Sequence, residues 1–176
     1  MNRGKHPRDV SVRDDYGGAG ILCSVPDYAR VLRSLTIDDG KLLTSSTLAT
    51  MFTPQLSADS KNQLKFLLSF PEVNNSMGGL PSLPPSTPSE IMVDWGLGGQ
   101  LTPVDIPGRR KKGSLHWGGL PNLFWFVDRE SGVCAVFGTQ LLPTGDPKCV
   151  ELWEVFEKAV YQGVELHRKG KDRGKL

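Results

Sequence analysis

A chain of 176 residues suits one ordinary globular domain, and folding at that length hides roughly 70% of the extended chain's surface. With 38% hydrophobic and 23% charged residues, the composition excludes a disordered polypeptide. A formal charge of +2 is too small to point to nucleic acid or a membrane surface.

Residues 1–15 carry many charges and almost no large apolar side chain, so they read as a flexible leading segment, with order expected from Tyr16. No apolar stretch follows the polar, basic start, so neither a secretory signal nor a membrane span is expected. The run Gly17-Gly18-Ala19-Gly20 before Ile21-Leu22-Cys23 suggests close backbone approach leading into a short extended piece. A helix should then start at Ser24. Pro26 suits an early helical position, Asp27 completes an approximate capping box, and Tyr28, Val31, Leu32 and Leu35 form one apolar stripe. Thr44-Ser45-Ser46-Thr47 offers caps for a second helix carrying Leu48, Met51 and Phe52 and ending before Pro54. A third helix fits residues 57–70. Residues 71–90, rich in Pro, Ser, Gly and Asn, read as a long loop, either a lid or a disordered insertion.

Residues 91–104 and 113–118 look extended, with the basic turn Pro107-Gly108-Arg109-Arg110-Lys111-Lys112 between them. That turn reads as solvated, or as a patch steering an anionic carrier. The clearest signal is a hairpin. Leu123-Phe124-Trp125-Phe126-Val127 and Val133-Cys134-Ala135-Val136-Phe137 are apolar on both faces, and residues 128–132 supply the turn. A sheet without a polar face must be covered on both sides, which predicts an α+β fold with an antiparallel sheet flanked by helices. Asp146 and Pro147 open a final helix whose Val150, Trp153, Phe156, Val160 and Val164 share one side, with Glu154 and Lys158 paired on the exposed side. Residues 169–176 should fray as a basic tail, leaving residues 16–168 as the domain. The final Gly174-Lys175-Leu176 departs from the Ser-Lys-Leu peroxisomal address at its first position. Three cysteines, Cys23, Cys134 and Cys149, have no metal-type spacing and cannot close a complete disulfide framework. A reducing, cytoplasmic compartment is the expectation, with no metal and no cofactor.

The order of Tyr16-Gly17-Gly18-Ala19-Gly20, Ser24, Asp27-Tyr28-Ala29-Arg30 and Gly113-Ser114-Leu115-His116-Trp117-Gly118-Gly119 before a hairpin resembles that of serine β-lactamase-like hydrolases. Within that superfamily the chain most resembles the fungal acyltransferases of lovastatin-type polyketide pathways, and next the family VIII carboxylesterases. Residues 105–117, 119–125, 128–130, Thr139-Gln140 and Gly145-Asp146-Pro147 carry this likeness. No single short motif is specific; the ordered series is. The resemblance implies the carboxy-terminal half of a serine β-lactamase/transpeptidase-like fold, with Trp117-Gly118-Gly119 in the place of the family's Lys-Thr-Gly motif. A shifted register uses His116-Trp117-Gly118 instead. The N–H after the motif then helps form an oxyanion hole, at Leu120 or, in the shifted register, Gly119.

Acyl transfer also needs a serine with a base in reach, which the family supplies as Ser-x-x-Lys with a Tyr-x-Asn or Ser-x-Asn motif. No serine here has lysine three residues on, and neither Tyr16, Tyr28 nor Tyr161 has asparagine two residues on. Ser60-Lys61-Asn62 matches Ser-x-Asn but lies after the glycine run, out of the family's order. A missing amino-terminal half explains these absences together. The expectation is a partial acyltransferase or esterase of secondary metabolism, inactive alone, offering His116, Trp117, Gly118, Gly119 and Leu120 as one wall for a small-molecule acyl ester or acyl-carrier substrate. The alternative is a non-catalytic interaction module or truncated gene remnant. Trp117 reads equally as packing aromatic or pocket wall, and His116 more readily as a structural strand residue than as a catalytic or hydrogen-bonding group. Nucleic-acid binding by the basic ends lacks interleaved aromatics in residues 166–176.

Overall fold

A computed structural model describes residues 23–77 and 92–173. The expected leading segment, the glycine run with Ile21-Leu22, and most of the expected long loop lie outside the described residues.

The first helix, α1 (Val25–Ile37), starts at the expected cap. Ser24 Oγ accepts the Asp27 N–H at 3.3 Å and donates to Asp27 Oδ2 at 2.6 Å. Leu32 and Leu35 are buried and Tyr28 half-buried, but Val31 is 40% exposed. The helical repeat places positions 28, 32 and 35 in one line and sets 31 on its flank. Helix α2 (Ser45–Met51) is capped by Thr44, and α3 (Ala58–Leu68) by Ser57. The chain then departs from the expected loop, because Pro71–Ser76 forms a short helix, α4. Pro71 at its first position and Glu72 in its first turn are residues that favour a helix start.

Five antiparallel strands follow as a meander in the order β1-β2-β3-β4-β5. They are β1 (Asp94–Trp95), β2 (Gln100–Leu101), β3 (Leu115–Gly119), β4 (Leu123–Asp128) and β5 (Val133–Phe137). The expected extended stretch 91–104 is thus two very short strands. Their turn presses on the end of α2, where a Cβ on Gly96 would lie 2.1 Å from the Met51 carbonyl oxygen, so only glycine fits.

Both sheet faces are covered, as the doubly apolar hairpin requires. On one side α5 (Pro147–Arg173) brings Cys149, Trp153 and Tyr161 against Phe124, Phe126, Val133 and Ala135. On the other, Leu32, Leu35 and Leu48 pack with Val127, Trp125, Cys134 and Val136. Helix α5 runs to Arg173, past the expected fraying point at Lys169, with residues 165–171 exposed. The Glu154–Lys158 pair forms at 4.0 Å.

The basic turn corrects its sequence reading. Arg109 and Arg110 are buried, not solvated, around Glu157 of α5, whose carboxylate is itself fully buried. Arg109 Nη2 donates to Glu157 Oε2 at 2.6 Å and Arg110 Nε to Oε1 at 2.8 Å. Nearby, Tyr161 donates to Asp128 at 2.6 Å and the Lys111 N–H to the same oxygen at 3.1 Å. One polar cluster therefore ties the turn, the hairpin and α5 together; leaving either side of such a buried pair alone costs about 3–5 kcal/mol.

Candidate functional site

Strand β3 begins at a bulge. Gly113 has φ +79, its N–H donates to the Thr102 carbonyl at 2.8 Å, and the Thr102 N–H donates to Ser114 O at 2.9 Å. Two residues thus oppose one, the pattern of a glycine-led bulge that resets the strand's register. It points the Ser114 carbonyl at β2. Strand alternation then turns the backbone groups of His116 and Gly118 to the same outer edge and those of Trp117 and Gly119 toward β4. Strand β2 pairs with β3 only at Leu115 and His116, so beyond His116 no described strand lies beside that edge.

Side chains alternate as well, and this separates residues that adjoin in sequence. Trp117 lies on the α1 side, opposite Trp125, with its ring 4.6 Å from Trp95 at 68°. It is half-buried, which keeps both its packing and its wall roles in play. His116 lies on the α5 side opposite Phe126, 1% exposed, and neither ring nitrogen has a hydrogen-bond partner among the described residues. Burial first, then the guanidinium charges of Arg110 and Arg109, hold its pKa well below the ordinary histidine value, so the ring is neutral. Arg110 in turn lies over the Phe126 ring at 5.8 Å. His116 belongs to the sheet's interior rather than to the surface that Trp117 faces.

Gly118 is buried, Gly119 half-buried and Leu120 71% exposed. A Cβ on Gly119 would lie 3.4 Å from Leu123, an ordinary contact, so packing does not demand glycine there. The exposed Leu120 opens a turn fastened to the segment before α5. Asn122, 1% exposed and at φ +54, donates to the carbonyls of Leu141 and Pro143, both at 2.9 Å. Its Oδ1 accepts the Gly145 N–H at 2.9 Å and the Asp146 N–H at 3.1 Å. Thr139 Oγ1 donates to Pro121 O at 2.5 Å, and Thr144 Oγ1 to Leu120 O at 2.6 Å. This clasp joins residues some twenty positions apart and leaves no local pattern, although asparagine is among the few residues that tolerate a left-handed turn. A separate depression of about 630 Å³, lined by Phe52, Asp94, Leu101, Lys112 and Glu130, sits at the Gly113 end of β3, away from Gly119.

Among the described residues no group of His, Cys, Asp or Glu is placed to hold a metal, and no helix is long and apolar enough to cross a membrane. No protein-family model matches the chain. The chain is 36% identical over 153 residues to the ML-236A carboxylate methylbutanoyltransferase mlcH of Penicillium citrinum, a match spanning 85% of this chain and 35% of that protein. It is 35% identical over 150 residues to the monacolin J acid methylbutanoyltransferase of Aspergillus terreus, spanning 83% and 34%. Unliganded simvastatin synthase (LovD) from Aspergillus terreus superposes with a TM-score of 0.70 at 34% identity, covering 84% of this chain and 36% of that one. Over the residues that match, the homologues of this chain are fungal lovastatin-type acyltransferases. It spans about a third of the length of the relatives it matches. EstCE1, a hydrolase with promiscuous acyltransferase activity, shares the fold at a TM-score of 0.51 and 20% identity. The five-stranded sheet with its helices is accordingly part of the serine β-lactamase-like fold that this family shares.

Proposed function

We propose that this chain supplies one wall of an acyl-binding site, with the Leu120 N–H donating to the developing oxyanion, and that alone it transfers no acyl group. In the family's reaction a serine hydroxyl attacks an ester carbonyl carbon, a base takes its proton, and the carbonyl oxygen acquires the negative charge. A preset N–H aimed at that oxygen contributes about 2.7–4 kcal/mol. Alternation along β3, continued one residue past the strand, turns the Leu120 N–H outward, while Gly119 faces β4; this favours the Trp117-Gly118-Gly119 register over the shifted one. The observation carrying the reading is Gly119 itself, a glycine that packing does not require, beside an exposed donor on an edge without a described neighbour. The substrate class is a small-molecule acyl ester or acyl carrier, of which the names of the methylbutanoyltransferase relatives support small-molecule acyl transfer, and a cytoplasmic location suits free thiols at Cys23, Cys134 and Cys149.

The lack of any Ser-x-x-Lys favours a second reading, an interaction module without turnover. Two measurements separate them. A fluorophosphonate probe should leave the full chain unmodified by mass spectrometry, and stoichiometric labelling of one serine overturns its inactivity. Replacing the matching segment of the Aspergillus terreus relative with residues 23–173 should retain acyl transfer; a folded chimaera without turnover supports the interaction module.

A further inference from the structure

Resting on the wall reading above, we infer that Thr144 is a positioning residue for the Leu120 N–H, with Asn122 fixing the segment that carries it. Leu120 stands between two anchored stretches. Before it, Gly119 pairs with Leu123 across the hairpin. After it, Pro121 has its ring-fixed φ and its carbonyl oxygen held by Thr139, and Asn122 is locked by four hydrogen bonds to residues 141–146. Leu120 is only lightly packed, being 71% exposed, and two glycines precede it. What remains to fix its backbone is the 2.6 Å bond from Thr144 Oγ1 to its carbonyl oxygen. That bond sets the plane of the Leu120–Pro121 peptide and so limits rotation about the residue whose N–H must aim at one point. An oxyanion donor works by being fixed beforehand, and an exposed turn residue achieves this only through such a partner.

The test uses the full chain, labelled with nitrogen-15 and titrated with butyrate as a carboxylate surrogate for the oxyanion. In the wild type the Leu120 amide resonance should move saturably. Thr144→Val should weaken that response about threefold to tenfold, the worth of one neutral hydrogen bond, while the melting midpoint and distant resonances stay put. Thr144→Ser should restore it. An unchanged response in Thr144→Val overturns the role of Thr144 and leaves the wall standing. No movement of Leu120 in the wild type overturns the wall, and this inference with it. Loss accompanied by a lowered melting midpoint and widespread resonance changes makes Thr144 merely structural, and failure of the serine variant removes the hydroxyl from the argument.

Discussion

His116 sits where protonation is penalised, and this makes the fold sensitive to mild acid. Its ring is enclosed by the sheet and α5, with Arg109 and Arg110 near it, and its pKa in the folded chain is lowered. Above the unfolded value near 6.5 both states carry a neutral ring and the site is silent. Below it the unfolded chain gains a proton that the folded chain refuses, so stability falls as pH drops from about 6.5 toward the lowered folded value, by up to about 1.4 kcal/mol per pH unit. The carboxylates of Asp39 and Asp105, hydrogen-bonded by Ser34 and Lys111, are lowered from the ordinary carboxylate value, so their own contributions are lost at lower pH than this window. Thermal unfolding of the wild type should therefore shift downward across that window, and His116→Leu should flatten the slope; equal slopes would remove His116 as the cause. The sequence brought His116 and Trp117 together as neighbours in a candidate wall. Strand period two, already legible in the sequence, was the signal that they face opposite ways. The pairing of Arg109 and Arg110 with Glu157 was less accessible, since the partners are 47 or 48 residues apart. Its one trace is that Glu157 falls four residues from both Trp153 and Tyr161, inside the buried stripe of α5.

The elements themselves were mostly local matters. Ser24, Thr44 and Pro147 mark helix starts in the sequence because caps and first-turn prolines act within four residues, and the structure uses all three. The hairpin of β4 and β5 was legible because its strands are apolar on both faces. What escaped was set by distant contact: β1 and β2 are two residues each, too short for any periodic signal, and their turn is fixed by Met51 of α2. The α5 element also carries a sharp energetic test. Trp153 is 1% exposed, with Phe124, Phe126, Phe137 and Phe156 all within 5.7 to 6.1 Å of its ring. Trp153→Ala should cost about 3–5 kcal/mol in urea unfolding, since no neighbour is placed to refill the space. Val155, on the same helix but 58% exposed, should change stability by less than about 0.5 kcal/mol when made alanine. Comparable losses at both positions would mean that α5 is not docked as described.

For the molecule as a whole, β4 decides how the parts cooperate. Its Phe124 and Phe126 belong to the cluster under α5, while its Trp125 and Val127 belong to the cluster under α1 and α2. Neither layer can lift away without uncovering an apolar face of the same strand, so opening one exposes the other to loss. The pair α3 and α4 stands outside this arrangement. Leu64 is the one residue of those helices buried among the described positions, while Phe66, Leu67 and Phe70 beside it are exposed. Local opening follows the number of buried apolar contacts that must be broken. Amide hydrogen exchange should therefore be slowest in β4 and the facing turns of α1 and α5, with those amides opening together. It should be much faster in α3, whose amides open without the sheet. Added urea should collapse the difference only near the global midpoint. If α3 exchanges as slowly as β4, the helix is held by contacts these residues do not show, and a single cooperative core centred on one strand is the wrong description. If instead the α1 and α5 sides exchange at distinct rates, the two clusters are independent and β4 does not couple them.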